Sequence, residues 1–329
     1  MSVPPAPPAA APAHGPLRRA FLRAKPWLPA ALTLLLLTLA LLALRELARE
    51  IDYRDVLAQI RATPQDALLA ATGFTLLSFM ALAGYDLSAL AYLKLKLPWR
   101  TVTLGSFAGY AVGNTVGMGA LSGGAVRLRV YGAAGLSPMQ VAQLMGFISA
   151  GFGLGITFIG AIGLLWGADH AQAVIGVPMW VMQGIGIFTL VSISWVISLC
   201  ARGRVFSVFG HTLEMPTMRL ALIQVAVSAL DLLFAAAALW VLLPPAELHF
   251  MDFLAFYVIG VSLGVILHIP GGVGIFEAMI VLAYGDSIPA PALAGALVLF
   301  RAIYYVAPLA LAILLLVLRE VTAPLFQRR

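Results

Sequence analysis

The chain has 329 residues, of which 62% are hydrophobic and 10% charged, with a formal net charge of +6. Soluble domains carry about 25% charged residues, and no soluble fold of this length could hide so much apolar surface, so the bilayer is its natural solvent. Its basic residues sit in short loops between apolar runs, where they set topology and attract anionic headgroups, and that placement excludes a nucleic-acid-binding class.

Residues 1–16 are rich in Pro and Ala and read as a disordered tail, with 17–329 as a single transmembrane domain. Arg18 and Arg19, with Arg23 and Lys25, read as a cytoplasmic anchor cluster. A twin-arginine export signal is disfavoured because no small-residue cleavage site follows the Leu-rich run. A spanning helix needs about 20 apolar residues. Such runs occur at 27–44, 67–93, 138–166, 174–200, 218–243 and 292–318. Between the first two, residues 50–66 mix charges with Ile51, Val56, Leu57 and Ile60, a spacing that suits a short interfacial helix. Two further apolar stretches, 101–121 and 251–284, are interrupted by glycine clusters. Cys200 is the only cysteine, which excludes a disulfide within the chain and a cysteine-based metal cluster and leaves packing as its expected role.

The distribution of Lys and Arg fixes an expected orientation. The N-terminus, the loops bearing Lys94, Lys96 and Arg100 and then Arg202, Arg204 and Arg219, and the C-terminus with Arg319, Arg328 and Arg329 should all be cytoplasmic, while the segment at Asp169 faces out. These assignments agree if 101–121 dips into the membrane and returns, and if 251–284 does the same from the outside. The first external loop, with Arg45, Arg49, Arg54 and Arg61, runs against the rule. The expected fold is therefore an all-α polytopic membrane protein with about six full spans plus two oppositely oriented re-entrant Gly-rich hairpins, compatible with inverted pseudo-symmetry. Irregular backbone at membrane depth is tolerated only inside protein or beside a water-filled cavity, and opposed broken elements point to a transporter's substrate site.

The first hairpin carries Asn114, Ser122, Gly123 and Gly124, followed by Arg127 and Arg129. Free amides of a glycine turn can cradle an anion, with the arginines as phosphate partners. Equally, the glycines can serve tight helix packing while the arginines snorkel. The second reads His268-Ile269-Pro270-Gly271-Gly272-Val273-Gly274-Ile275-Phe276-Glu277. Pro270 stops one half-helix, and the next starts with its amides pointing into the protein, a site for negative charge at Gly272 and Gly274. Glu277 either complements that helix dipole or binds an ammonium group. His268 is either a proton carrier or a structural residue.

Asp86, Asp231 and Arg301 lie within apolar runs. Each costs about 2.5–3.5 kcal/mol at a helix centre, so each needs a partner or a wet cavity. Depth along the helices predicts an Asp231–Arg301 pair, with Tyr304 and Tyr305 flanking it either as headgroup donors or as packing. No metal site, cofactor or phosphate-loop motif is expected.

These residues resemble the membrane module of the lysylphosphatidylglycerol synthetase/flippase family, also called multiple peptide resistance factors. Tyr85-Asp86, Asn114 with Leu121-Ser122-Gly123-Gly124-Ala125-Val126-Arg127 and Tyr131, Pro270 to Glu277, and Phe300-Arg301-Ala302-Ile303-Tyr304 with Pro308 carry the likeness, which runs from about residue 27 to 320. The resemblance implies translocation of an aminoacylated phospholipid such as lysylphosphatidylglycerol across a bacterial cytoplasmic membrane, with resistance to cationic peptides as the consequence. Full-length members continue into a soluble transferase domain that this chain does not contain, so lipid synthesis is not carried over. The expected partners are an anionic or aminoacylated phospholipid, a separate lipid synthase and a second copy in a homodimer. Arg127, Arg129, Arg301 and the glycine turns would receive phosphate, and Asp86, Asp231 and Glu277 the cationic headgroup.

Two other classes are weighed against this. An intramembrane aspartyl protease would bring Asp86 and Asp286 within a few ångströms to share a proton, although Ala283 stands where that family's motif needs glycine. A non-transporting membrane scaffold would leave Arg301 and Glu277 fully paired with no polar cavity.

Overall fold

The computed structural model describes residues 53–117, 119–202, 205–208, 211–245 and 249–326. The tail at 1–16 and the span expected at 27–44 lie outside the described residues.

In chain order the helices are α1 (Tyr53–Ala62), α2 (Gln65–Tyr92), α3 (Trp99–Val116), α4 (Gly119–Gly132), α5 (Pro138–Trp166), α6 (Ala168–Ile175) and α7 (Met179–Ala201). A two-stranded antiparallel ribbon follows, β1 (Val205–Val208) with β2 (His211–Glu214), in which Val205 pairs with Glu214 and Val208 with His211. Then come α8 (Met218–Trp240), α9 (Phe250–Ile266), a 3-10 turn at Pro270–Gly272, α10 (Ile275–Tyr284), α11 (Ala290–Phe300), a π-helical stretch at Arg301–Val306, and α12 (Ala307–Phe326). The fold is helical as expected, and this ribbon is confined to the loop between α7 and α8, which folds back on itself and satisfies its own backbone.

Among the described residues five helices are long and apolar enough to cross a membrane: α2, α5, α7, α8 and the continuous rod from α11 into α12. The expected spans at 67–93, 138–166, 218–243 and 292–318 coincide with four of them, and the molecule is a multi-pass helical membrane protein. The run at 174–200 is split, because Gly176 takes a left-handed conformation (φ +76°) and ends α6 before α7 begins. Two start signals are well formed: Ser137 and Gln140 cap α5 reciprocally at 3.2 and 2.9 Å, and Thr217 caps α8.

α2 and α8 form the central pair. They run antiparallel, since Ser78 of α2 bonds Asp231 of α8 while Ser88, further along α2, is bonded by Gln224, earlier in α8. α5 packs on this pair through Gly151 and Gly155, which sit against Gln224 and Ser228. Around them the element order repeats: long helix, broken hairpin, long helix (α2, α3–α4, α5), then the same again (α8, α9–α10, α11–α12). One apolar cluster gathers Phe253, Phe256, Tyr257, Phe276 and Phe300 on the α8–α12 side, and a second gathers Tyr85, Val130, Tyr131 and Leu144 on the α2–α5 side. Large apolar residues such as Phe188, Trp195 and Leu314 remain exposed on the outer faces, as acyl-chain contact requires.

Candidate functional site

The α3–α4 hairpin breaks at Gly117 and the α9–α10 hairpin at His268–Gly274, and the two breaks touch. Gly117 (φ +83°, ψ 179°) lies so close to Pro270 that a Cβ on it would stand 2.6 Å from the Pro270 Cα. Such a conformation is essentially confined to glycine. Ser122 closes the first turn by donating to the Gly117 carbonyl at 2.7 Å.

The last rod shows how the hairpins approach one another. At its far end Arg129 of α4 donates to Glu320 of α12 at 2.8 and 3.1 Å, and Arg319 donates to the Val130 carbonyl. At its near end the chain leaves α10 and enters α11 within six residues. The two hairpin bases therefore sit at opposite ends of the rod, and Arg301 lies between them, about 16 Å from Ala290 and about 28 Å from Glu320 at the α-helical rise.

Arg301 occupies the first position of the π stretch. Its Nε donates to Glu277 Oε1 at 2.6 Å, its Nη2 lies 2.5 Å from the same oxygen, and its Nη1 donates to the Gly271 carbonyl in the second turn. The guanidinium stands 4.6 Å from the Tyr305 ring centroid and 5.6 Å from that of Phe276. Glu277 Oε2 accepts the Gly274 amide at 2.8 Å, so one carboxylate caps α10 and pairs with Arg301 together. This pair keeps partial exposure, 19% for Arg301 and 15% for Glu277, and it lines an open recess of about 340 Å³ with Leu297, Val298, Ala302 and Val306. π turns inside α-helices are frequent at functional sites.

A second ion pair is sealed. Arg127 of α4 meets Asp86 of α2 through two hydrogen bonds of 2.7 Å, Nε to Oδ1 and Nη2 to Oδ2, with 1% and 0% exposure. Tyr131 adds a third donor to Asp86 Oδ1 at 2.6 Å, and the guanidinium lies 4.3 Å from the Tyr110 ring centroid. Gly105 and Gly109 of α3 make the room: a Cβ at Gly105 would strike the Tyr131 ring at 2.2 Å, and one at Gly109 would meet Arg127 Nη1 at 2.6 Å.

The expected Asp231–Arg301 pair does not form. Asp231 instead accepts from Ser78 Oγ at 2.5 Å and, at 3.5 Å, from Tyr304, whose hydroxyl is 2.7 Å from the same serine. Arg301 and Tyr304 sit three residues apart on the π stretch and point to different partners, Glu277 and Asp231. Gly123 and Gly124 lie within α4 and not in the turn, so their amides belong to the helix ladder. Gly123 packs on the Gly109 carbonyl, and Gly124 lies near Met145. Gly272 and Gly274 do lie in the second turn, at φ +64° and +89°. His268 is exposed, with φ +56° and Nδ1 3.0 Å from the Ile266 carbonyl, and Asn114 is half-buried near the end of α3. Tyr304 is buried and Tyr305 half-buried against Arg301. Asp86 and Asp286 form no dyad: both oxygens of Asp86 are engaged by Arg127, and Asp286 sits in the exposed turn before α11.

Sequence reading missed the polar ladder between α2 and α8. Ser78, Tyr85 and Ser88 on one helix face Asp231, Ser228 and Gln224 on the other. The signal was present in the spacing, since 224, 228 and 231 share one helical face. It also missed Gly105 and Gly109, whose four-residue spacing marks close approach of helices.

A bundle of membrane-crossing helices whose two glycine-broken hairpins meet beside a part-exposed ion pair defines a polytopic membrane protein with a polar centre. The chain belongs to the family described as the lysylphosphatidylglycerol synthase TM region, which it matches over residues 21–312. It is 30% identical to the uncharacterized protein slr0712 of Synechocystis over 286 residues, covering 85% of this chain and 88% of that one. It is 31% identical to the inner membrane protein YbhN of Escherichia coli over 289 residues, covering 83% and 86% respectively.

Proposed function

We propose that this protein moves a phospholipid headgroup between leaflets of a bacterial inner membrane, and that the lipid is aminoacylated, lysylphosphatidylglycerol being the representative. The observation that carries this reading is the Arg301–Glu277 pair: opposite charges side by side, at the meeting point of two broken hairpins, open to a recess lined otherwise by Leu297, Val298, Ala302 and Val306. Such a headgroup carries both a phosphate and an ammonium. It can exchange partners with the pair, Arg301 taking phosphate in bidentate fashion and Glu277 taking an amine, so that neither member of the pair is left without a partner. The acyl tails stay in lipid while the headgroup crosses. In this reading the two hairpins are re-entrant, one from each side, the termini are cytoplasmic, and a separate lipid synthase supplies the substrate. Fewer anionic headgroups on the outer surface would then weaken the attraction for cationic peptides.

The test is a leaflet-resolved assay in reconstituted vesicles with lysylphosphatidylglycerol beside plain phosphatidylglycerol. Faster movement of the aminoacylated lipid with protein than without supports the reading. Equal, slow movement of both lipids with and without protein overturns it. A scaffold without transport is the second reading, favoured by the fact that Arg301 and Glu277 already satisfy one another; it predicts that second outcome.

A further inference from the structure

We propose that Asp231 is a proton-binding site that couples the lipid movement proposed above to a transmembrane pH gradient, acting on Arg301 through Tyr304. This inference rests on the translocation reading.

Asp231 is 5% exposed, and hydroxyls donate to it, Ser78 Oγ at 2.5 Å and Tyr304 OH at 3.5 Å. No salt bridge joins it to a described Lys, Arg or His side chain: Arg127 is taken by Asp86 and Arg301 by Glu277. The titratable groups near it are tyrosines, Tyr85 on α2, Tyr110 on α3, Tyr257 on α9 and Tyr304 and Tyr305 on the π stretch. The other helices against α8 bring little: α5 and α11 contain no titratable residue, and α7 has Cys200 alone. A carboxylate without a cation, at membrane depth, is a group whose charge is removed most cheaply by a proton. A metal cation suits the place poorly, because the oxygens of Ser78 and Tyr304 are 2.7 Å from each other and Ser78 is 2.5 Å from Asp231, leaving no room for an ion between them.

A route to this carboxylate exists. Below Asp231 on the same face of α8 come Ser228 and Gln224, opposite Tyr85 and Ser88 of α2. Along this ladder the Tyr85 hydroxyl stands against Ser228 Oγ, while the buried Gln224 Oε1 and, beside it, the Tyr110 hydroxyl have no hydrogen-bond partner among the described residues. Buried polar atoms of that kind are normally satisfied by ordered water. A file of hydroxyls and water relays protons, and from Gln224 about 9 Å remains to the start of α8 at Met218.

The link to the lipid site is short. The ionised carboxylate can only accept hydrogen bonds, from Ser78 and Tyr304; the protonated acid donates one of its own. Ser78 and Tyr304 must then reorganise. Tyr304 is on the same π stretch as Arg301, so its movement shifts the residue that holds Glu277 and the Gly271 carbonyl. The proton enters from one side along the ladder, neutralises Asp231 while Arg301 exchanges partners, and leaves to the other side when the stretch relaxes.

The test uses the full chain in vesicles with the membrane potential clamped to zero by potassium and valinomycin, with lysylphosphatidylglycerol as probe. A pH gradient should drive the lipid into one leaflet, up to about tenfold per pH unit for one proton per lipid, and reversal of the gradient should reverse the asymmetry. Asp231→Asn should lose that asymmetry. A second measurement is independent of how the variant folds: lysylphosphatidylglycerol added to the outer leaflet of wild-type vesicles should drive proton movement seen by a trapped pH dye. Lipid movement that ignores the pH gradient overturns the coupling alone, as does accumulation that follows a sodium gradient instead. No protein-dependent lipid movement overturns both the coupling and the translocation reading.

Discussion

Gly117 and Pro270, 153 positions apart in the chain, are in backbone contact where the two hairpins end. The contact requires a residue without a side chain at position 117, where a Cβ would stand 2.6 Å from the Pro270 Cα. It places Gly271, whose carbonyl accepts from Arg301, beside the Thr115 carbonyl near the end of α3.

Gly117→Ala should therefore strike function at the junction. The backbone there sits in a region that costs a residue with a Cβ about 1–3 kcal/mol, and the added carbon would stand 2.6 Å from Pro270. The hairpins must part to accept it. Vesicle assays should show lipid movement falling by tenfold or more, while circular dichroism still reports a helical protein. Full activity in this variant would remove the junction from the mechanism.

The two ion pairs should answer mutation differently. Arg127→Met or Asp86→Leu alone leaves a buried charge at 0–1% exposure without its partner. Such losses cost about 3–5 kcal/mol, whereas replacing both members by apolar groups recovers most of it. Thermal unfolding in detergent should show both single variants strongly destabilised and the double variant close to wild type. If the single variants melt normally, the sealed pair contributes nothing to the fold.

At the open pair, Arg301→Ala should abolish translocation with the fold retained, because the pair is 15–19% exposed and lies at the edge of the core. Glu277→Gln keeps an acceptor for the Gly274 amide but removes the charge that would meet an ammonium. A charged hydrogen bond contributes about 1.5–3 kcal/mol. The preference for lysylphosphatidylglycerol over phosphatidylglycerol should thus drop at least about tenfold. An active Arg301→Ala protein would take that residue out of the mechanism.

Gly151 and Gly155 of α5 make a paired prediction about packing. A Cβ on either falls 1.9 Å from α8, but at Gly151 it meets the amide end of Gln224, and at Gly155 the Cβ of Ser228, close to the backbone. The glutamine can swing away and the serine cannot. Gly155→Ala should lower stability by about 1–3 kcal/mol, the usual range for overpacking, and Gly151→Ala by clearly less. Equal melting shifts would show that α5 and α8 slide freely.

The spans α2, α5 and α8 were legible because a 20-residue apolar run in a bilayer has only one backbone solution, a helix that satisfies itself. The break at His268–Gly274 was legible because proline stops a helix and the glycines beside it take positive φ, whereas the first break was not placed: Gly123 and Gly124, read as its turn, lie inside α4, and the chain breaks at Gly117. Depth could also be counted, which is why Asp231 and Arg301 were matched. Depth is one coordinate, however, and pairing needs rotation about the helix axis as well. The π stretch at Arg301–Val306 resets that rotation, turning Arg301 to Glu277 and Tyr304 to Asp231.

What the sequence determined by itself was the solvent, the crossing helices at 67–93, 138–166, 218–243 and 292–318, and the presence of ions that must find partners inside. Those follow from hydrophobicity and local backbone chemistry. Which ion met which, which pair was sealed and which left open, and that the two glycine turns would touch were decided only by tertiary structure, because helices far apart in the chain had to choose their faces and close distances together.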